Sequence, residues 1–127
     1  MLRDLIEKYR RVGAKLVVLF GSRARGDYTN ISDYDVLVVA DNLPRDPRES
    51  YSILYDEKFP SVNPIGINTV SFLKKLREEN TFILEVLEDG KVLYADEKFL
   101  EEVKGIYKAI RATYIRRGKT WIKLKVE

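Results

Sequence analysis

Residues 20–39 read FGSRARGDYTNISDYDVLVV and determine how the rest of the chain is interpreted. The runs at either end, KLVVLF over 15–20 and YDVLVVA over 34–40, are short, apolar and rich in β-branched residues, which is typical of buried strands. A segment of glycine, serine, arginine and aspartate separates them. Each of these residue types is ordinary in a loop, and it is their combination at this spacing between two strands that points to a binding site.

The turn that follows the first strand suits a phosphate group. Gly21 allows a ligand to approach the backbone closely, and the hydroxyl of Ser22 can donate a hydrogen bond to an oxygen. A strand that turns here into a short helix also presents backbone N–H groups. Arg23 and Arg25 flank the turn with guanidinium groups, which bind phosphate through two hydrogen bonds. We therefore predict that these four residues bind a nucleotide.

Two aspartates at the start of the second strand form the other half of the predicted site. Asp33 and Asp35 are two residues apart, so in a strand their side chains point to the same face and repel each other. A cation held by one or two carboxylates and by substrate phosphates relieves this repulsion, which predicts Mg²⁺ or Mn²⁺. A lone Asp-x-Asp is more often a solvated turn. Its spacing from the Gly-Ser turn is what favours a nucleotide–metal site.

The composition removes several classes of function. The 127 residues include no histidine and no cysteine, which excludes Ser-His-Asp and Cys-His nucleophilic sites and the usual zinc sites. We find no signal peptide, and no apolar run approaches the roughly 18 residues of a membrane span. These features predict a cytoplasmic protein without a membrane partner. A net charge of +3 is too small to argue for nucleic acid by itself.

A third strand is predicted over residues 62–70. Pro64 and Gly66 make it irregular or place it at the edge of a sheet, because proline cannot donate a backbone hydrogen bond. Thr69 or Ser71 is expected to cap the helix that follows.

The whole chain, residues 1–127, is predicted to be one domain with a basic, helical C-terminal segment over about 96–127. Asp96 caps that helix and Gly118 ends it. Its apolar positions keep helical spacing: Phe99, Val103, Ile106, Ile110 and Tyr114. The other predicted elements are a helix over 2–12, a loop over 41–50, a helix over about 49–58, two helices between 72 and 89, and a short strand over 91–94.

The run GSRARGDYTNISDYDVLVV closely resembles the signature of the minimal nucleotidyltransferases of the DNA polymerase beta superfamily: Gly-Ser, Ala-Arg-Gly, and Ser-Asp-x-Asp followed by aliphatic residues. FILEVLEDGKVLY, over 82–94, also resembles the helix and final strand of such proteins. The resemblance implies an α+β core, in which helices pack against a mixed β-sheet. It implies transfer of a nucleoside monophosphate from a nucleoside triphosphate, ATP above all, to an acceptor hydroxyl. By this resemblance Ser22 contacts the triphosphate, while Asp33 and Asp35 hold Mg²⁺ and are catalytic.

One position departs from the family pattern. Active members usually carry a third carboxylate on a later strand, yet residues 58–77 contain no Asp or Glu. Counting back from the FLKK helix places the acidic position on Asn63. An amide oxygen can ligate a metal, but it has no negative charge and is not a useful base. Asp56 or Glu57 could substitute, and an Asn-Pro turn is the structural alternative for Asn63.

The resemblance also suggests partners. Minimal nucleotidyltransferases are often paired with a small helical protein of the HEPN class, in some cases as toxin and antitoxin, so we expect such a partner or self-association. The alternative is a catalytically degenerate module that binds nucleotide or partner, which Asn63 favours.

A third hypothesis is RNA binding through the C-terminal segment. A face of basic and aromatic residues can follow phosphates and stack bases, whereas the structural alternative is a solvated helix with its aromatic residues packed on the core. The last run, TWIKLKV over 120–126, alternates like an edge strand and could pair with another chain. The basic residues are Lys108, Arg111, Arg116, Arg117, Lys119, Lys123 and Lys125, and the aromatic residues are Tyr107, Tyr114 and Trp121.

Overall fold

The two buried runs form the centre of a four-stranded mixed β-sheet in a computed structural model that describes residues 2–125. The spatial order of the strands is β3, β2, β1, β4, and β1 is antiparallel to β2 and β4 while β3 is parallel to β2. Mixed direction and helices on both faces confirm the predicted α+β class. The strands are β1 (Ala14–Phe20), β2 (Tyr34–Ala40), β3 (Val62–Asn68) and β4 (Lys91–Ala95).

One face of the sheet is covered by three helices that precede β3 in the chain. Alternate side chains of the central strands, such as Val17 and Val38, point to this face and pack with Leu5 and Tyr9 of the first helix. Tyr9 is fully buried in this layer. The three helices are α1 (Arg3–Arg11), α2 (Ser22–Arg25) and α3 (Pro47–Leu54).

The opposite face is covered by the three remaining helices. Here Val18 and Leu37 of the central strands pack with Phe72 and Phe99, whose ring centroids are 6.1 Å apart. Both faces of β1 and β2 are therefore buried, which explains why these strands are apolar at nearly every position. The helices are α4 (Thr69–Arg77), α5 (Thr81–Asp89) and α6 (Glu97–Arg111).

The structure confirms that the third strand lies at an edge of the sheet, and it corrects two helix starts. Asn68, rather than Thr69 or Ser71, caps α4, because its side chain accepts a hydrogen bond from the backbone N–H of Ser71 at 2.8 Å. The predicted helix over 49–58 is α3, which begins earlier behind the cap of Asp46 and ends at Leu54. Asparagine and aspartate are strong capping residues, and each lies just before its helix.

The end of the chain departs most from the prediction. Helix α6 is capped by Asp96 as expected, but it ends at Arg111 rather than at Gly118. A hairpin of β5 (Tyr114–Arg117) and β6 (Thr120–Lys123) follows, and Gly118 lies in its turn at φ +59°. Positive φ is suited to glycine in a tight turn. The prediction of a helical segment over 96–127 is therefore wrong beyond Arg111, and residues 126 and 127 lie outside the described range.

The hairpin confirms the strand character of the TWIKLKV run for Thr120–Lys123, which pairs with β5 of its own chain, while Val126 lies outside the described residues. Within residues 2–125, no helix has both the length and the apolar character needed to cross a membrane.

Candidate functional site

The Gly-Ser turn and the aspartates meet because β1 and β2 are antiparallel neighbours. Phe20, the last residue of β1, pairs with Asp35. Gly21 follows at once with φ +75° and ψ −157°, a conformation that is essentially confined to glycine. A Cβ atom built on Gly21 would lie 2.5 Å from Oδ2 of Asp35. The carboxylate of Asp35 is therefore packed directly against the backbone of the turn.

The turn itself is a single helical turn, α2. The backbone N–H groups of Ala24 and Arg25 both donate to the carbonyl oxygen of Gly21 at 3.1 Å. The first amides of such a turn, those of Ser22 and Arg23, have no acceptor within it and face outward at its start. Gly26 then leaves the helix in the left-handed conformation. The sequence prediction of a turn between two glycines agrees with this geometry.

The two aspartates lie at the beginning of β2 and differ in exposure. Asp33 precedes the strand and is exposed, whereas Asp35 is half-buried within it. Val36 points to the layer of α1, so Asp35 and Leu37 point to the layer of α5.

Asn63 lies directly opposite Asp35 in the parallel pair of β2 and β3. Its amide nitrogen donates to Oδ1 of Asp35 at 3.2 Å. The position where the family pattern has a third carboxylate is thus next to Asp35 and holds an amide. Asn63 lies in a strand, so the alternative of an Asn-Pro turn is wrong.

The proposed substitutes for that carboxylate lie elsewhere. Asp56 is 3.4 Å from the ammonium group of Lys8 and accepts a hydrogen bond from the backbone N–H of Lys58. These contacts, with the amide of Lys58 first and Lys8 after it, lower the pKa of Asp56. Glu57 is exposed next to it. Asp56 is therefore an ion-pair partner of α1.

Arg23 holds the loop between the turn and the aspartates. Its guanidinium group donates two hydrogen bonds to the carbonyl oxygen of Ser32, at 3.0 and 3.2 Å. The same group lies between the rings of Tyr28 and Tyr34, 4.2 and 4.4 Å from their centroids. The sequence indicated a nucleotide contact for Arg23 and did not indicate this contact with the loop. Because the loop leads into Asp33, Arg23 helps to place the first aspartate.

A cavity of about 150 Å³ adjoins the turn, between β1, α2 and α5. Arg25 lines it and is also 3.4 Å from the carboxylate of Asp27. The wall formed by α5 was not predicted to belong to the site, although acidic residues four apart, Glu85 and Asp89, share one helix face. The lining residues are Phe20, Gly21, Arg25, Phe82, Glu85, Val86 and Asp89.

The acidic wall is paired with the C-terminal hairpin. Arg116 of β5 binds both carboxylate oxygens of Asp89, at 2.6 and 2.8 Å, and lies 3.8 Å from Glu85. These hydrogen bonds lower the pKa of Asp89, and the charge of Arg116 acts in the same direction. The hairpin is therefore attached to the helix that lines the cavity.

The aromatic residues of the C-terminal segment are engaged within the protein. The hydroxyl groups of Tyr107 and Tyr114 donate to Glu88 and Glu79 respectively. Trp121 packs edge-on against Tyr114. This arrangement agrees with the packed alternative given above for these aromatic residues. Three of the basic residues, Arg111, Arg116 and Lys123, are also bound to acidic side chains of the protein.

The donor set at the aspartates fits a hard divalent cation. The carboxylates of Asp35 and of Asp33, which comes just before β2, are oxygen ligands of the kind that such a cation prefers, and the amide of Asn63 lies beside Asp35. Within residues 2–125 no cluster of three or more Asp, Glu, His or Cys side chains is present. Oxygen atoms of a bound phosphate, or of water, are suitable further ligands for such a cation.

Sequence comparison adds independent evidence for the family. A family model described as "Polymerase beta, Nucleotidyltransferase" matches residues 2–99. Two proteins of Methanocaldococcus jannaschii are also similar. "Putative protein adenylyltransferase MJ1305" is 31% identical over 95% of this chain and 93% of its own length. "Putative protein adenylyltransferase MJ0604" is 38% identical over 71% of this chain and 87% of its own length.

Solved structures share the fold. A toxin–antitoxin crystallised with AMP-PNP is 22% identical and matches with a TM-score of 0.53, over 86% of this chain and 88% of that chain. A mutant of the toxin–antitoxin MntA–HpeT is 20% identical, with a TM-score of 0.54 over 88% and 90% of the two chains. Three observations point to the same family: the fold of the core, the Gly-Ser turn against Asp35, and these matches. The chain belongs to the polymerase beta nucleotidyltransferase family.

Proposed function

We propose that this protein transfers AMP from ATP to a hydroxyl group on a partner protein. The hydroxyl oxygen forms a bond to the α-phosphorus and loses its proton, while the bond between the α- and β-phosphates breaks and pyrophosphate leaves. The observation that carries the proposal is the close packing of Gly21 against Asp35, which puts the Gly-Ser turn next to one of the two motif aspartates. Nucleotidyl transfer as such agrees with family membership. The choice of a protein as acceptor is supported by the names of the relatives, which are described as protein adenylyltransferases.

Each residue of the turn has a defined task in this proposal. The hydroxyl of Ser22 and the amides at the start of α2 hold the terminal phosphates, with Arg25 from the cavity side. Arg23 acts through the loop, because its guanidinium group is bound to Ser32. Phosphoryl transfer depends mostly on positioning and charge neutralisation, so a site without histidine can perform it.

Asp33 and Asp35 would hold Mg²⁺ or Mn²⁺ in this proposal, with Asn63 as a third, neutral ligand. The cation supplies charge neutralisation for the phosphates and orients them. Asn63 now donates its amide hydrogen to Asp35, so its oxygen becomes a ligand only when the amide reorients. This requirement makes cation binding weaker than with three carboxylates.

The proposed partner is a small helical protein of the HEPN type. The solved structures with the same fold are toxin–antitoxin complexes. In this reading the chain is the antitoxin, and modification of the helical protein switches it off. Self-association is the alternative arrangement.

A non-catalytic role is the second candidate function. Asn63 favours it, since an amide cannot accept the proton of the attacking hydroxyl. The protein would then retain nucleotide binding and use it to control assembly with its partner.

Transfer of label from [α-³²P]ATP to a purified HEPN-type protein tests both functions. We expect labelling that requires a divalent cation, that Asp35→Asn abolishes and that Asn63→Asp increases. Glu101→Gln removes an exposed carboxylate from α6 and serves as the matched control with native activity. Calorimetric ATP binding without label transfer would establish the non-catalytic function. Absence of ATP binding in the native chain and in Asn63→Asp would reject both.

A further inference from the structure

The cavity beside the Gly-Ser turn contains charges of both signs. Gly21 and Arg25 line it on one side, and the carboxylates of Glu85 and Asp89 line it on the other. A chain of phosphates at Gly21 carries several negative charges and would face these two carboxylates. Like charges at such short range oppose binding, so the acidic wall needs compensation.

The compensation comes from the C-terminal hairpin. Arg116 makes two hydrogen bonds to Asp89, and Glu85 is 3.8 Å away. The side chains of Arg116 and Asp89 are only 16% and 20% exposed. Water and salt therefore screen this pair less than an exposed one.

The hairpin also fixes the guanidinium group of Arg116. Its Nε donates to the carbonyl oxygen of Gly118 at 2.7 Å, and the group lies 5.2 Å from the ring centroid of Trp121. The hydrogen bonds of Arg116 are thus directed at Asp89 of α5 and at the turn of the hairpin. The group is held at the acidic wall before any ligand arrives.

We propose that Arg116 is a positioning residue of the nucleotide site, which neutralises the acidic wall so that a polyphosphate can bind beside Gly21. Arg116, which contacts both Asp89 and Glu85, then supplies the positive charge at the two carboxylates. Arg25 remains available for phosphate because Arg116 satisfies Asp89. The inference rests on the proposed function, and it extends the site to a hairpin that lies beyond the family match over 2–99.

Removal of Arg116 has two expected effects. Glu85 and Asp89 become uncompensated, and Arg25, which lines the same cavity and whose charge already contributes to the lowered pKa of Asp89, is drawn toward them. Both effects weaken the binding of a polyphosphate and leave the contacts of a nucleoside unchanged. The loss should therefore increase with the number of phosphates.

Calorimetric titration with ATP, ADP and AMP in the presence of Mg²⁺ tests the inference. Arg116→Met keeps the apolar stem against Trp121 and removes the charge. We expect it to weaken ATP binding on the order of tenfold, ADP binding less and AMP binding least. Arg117→Met removes an exposed cation from the next position of the same strand and is expected to bind like the native chain.

The double variant Arg116→Met with Asp89→Asn separates electrostatics from hairpin anchoring. We expect it to recover most of the ATP affinity, because the uncompensated charge is gone while the hairpin contact is still missing. Equal weakening in the single and double variants would overturn the inference, as would an equal loss for ATP and AMP. Asp89→Asn alone keeps Arg116 and is expected to bind ATP at least as tightly as the native chain, and weaker binding would also overturn the inference.

The outcomes distinguish this inference from the proposed function. Native ATP affinity in Arg116→Met overturns the inference alone. Absence of ATP binding in the native chain overturns the proposed function and the inference with it. Thermal unfolding of each variant, followed by circular dichroism, identifies any loss of affinity that is due to unfolding.

Discussion

Asn63 lies directly opposite Asp35 in adjacent parallel strands, and its amide nitrogen is 3.2 Å from Oδ1 of that carboxylate. A neutral donor in this position gives the carboxyl group a hydrogen-bond partner without a cation. A carboxylate in the same position would place two negative charges in contact. The residue at position 63 therefore affects two quantities, the stability of the protein without a bound cation and the affinity of the site for metal.

We predict that Asn63→Asp destabilises the protein in the absence of divalent cations by about 1–2 kcal/mol, because two carboxylates then repel. Mg²⁺ or Mn²⁺ should reverse the loss, since the cation binds the folded state. Thermal unfolding with EDTA and with Mg²⁺ measures both effects. Asn63→Ala loses the same hydrogen bond and should not gain a metal dependence. The same melting temperature for Asn63→Asp in both conditions would contradict the prediction.

Gly21→Ala should be strongly disruptive. The substitution forces a side chain into a conformation confined to glycine and places Cβ 2.5 Å from Asp35 Oδ2, so we expect a loss of about 1–3 kcal/mol together with loss of ATP binding. Gly13→Ala is the matched control. It shares a positive φ, +87°, and its nearest contact is the amide of Asn42. That variant should lose stability and keep its affinity for ATP, and a parallel loss of affinity in both would show that the contact with Asp35 is irrelevant.

Arg23→Lys is expected to release the loop over residues 26–33. An ammonium group cannot form the two-pronged contact with the Ser32 carbonyl or stack flat between Tyr28 and Tyr34. Hydrogen exchange of the loop amides should become faster, with a stability loss of about 1 kcal/mol. Arg48→Lys, at an exposed position of α3, serves as the control and should leave loop exchange unchanged. If both variants exchange at the native rate, Arg23 does not hold the loop.

The attachment of the hairpin should weaken in acid. Hydrogen bonds from Arg116 lower the pKa of Asp89 below 3.8, and those from Lys123 and Tyr114 lower the pKa of Glu79 below 4.5. A carboxylate with a lowered pKa in the folded state contributes stability above its unfolded pKa, and that stability is lost as the pH falls through the folded value. Detachment is therefore expected below about pH 4.

The fluorescence of Trp121 can follow this detachment, because it is the single tryptophan of the chain and lies in the hairpin. As the pH is lowered, we expect the emission of Trp121 to change first. The circular dichroism signal of the helices should be lost only at a lower pH. Asp89→Asn should shift the emission change toward neutral pH. Coincidence of the two signals in the native chain would mean that the hairpin does not detach separately.

Local patterns allowed the centre of the fold to be predicted. The apolar runs of β1 and β2, the Gly-Ser turn and the paired aspartates are all encoded within residues 15–40. Pro64 and Gly66 correctly indicated an edge strand. Asn63 was placed beside the aspartates by counting along the chain, and the parallel register puts it there.

The rest of the site depends on contacts between distant segments. Glu85, Asp89 and Arg116 meet only when the hairpin folds back on α5, and no local pattern indicates that Arg116 contacts this helix. The end of α6 was predicted wrongly for a related reason. Tyr114 continues the helical spacing of α6, but its pairing with Lys123 in the hairpin prevails over that spacing.

Pro64 has a consequence for how the protein meets other chains. It lies in the middle of β3, at the edge of the four-stranded sheet, where a proline fits because its nitrogen faces away from the neighbouring strand. The outer side of β3 thus lacks one of the N–H groups that an incoming strand would need. Proteins blunt exposed edges in this way and so avoid aggregation. At this edge Pro64 disfavours pairing with a strand of another molecule, both at high protein concentration and during folding after synthesis.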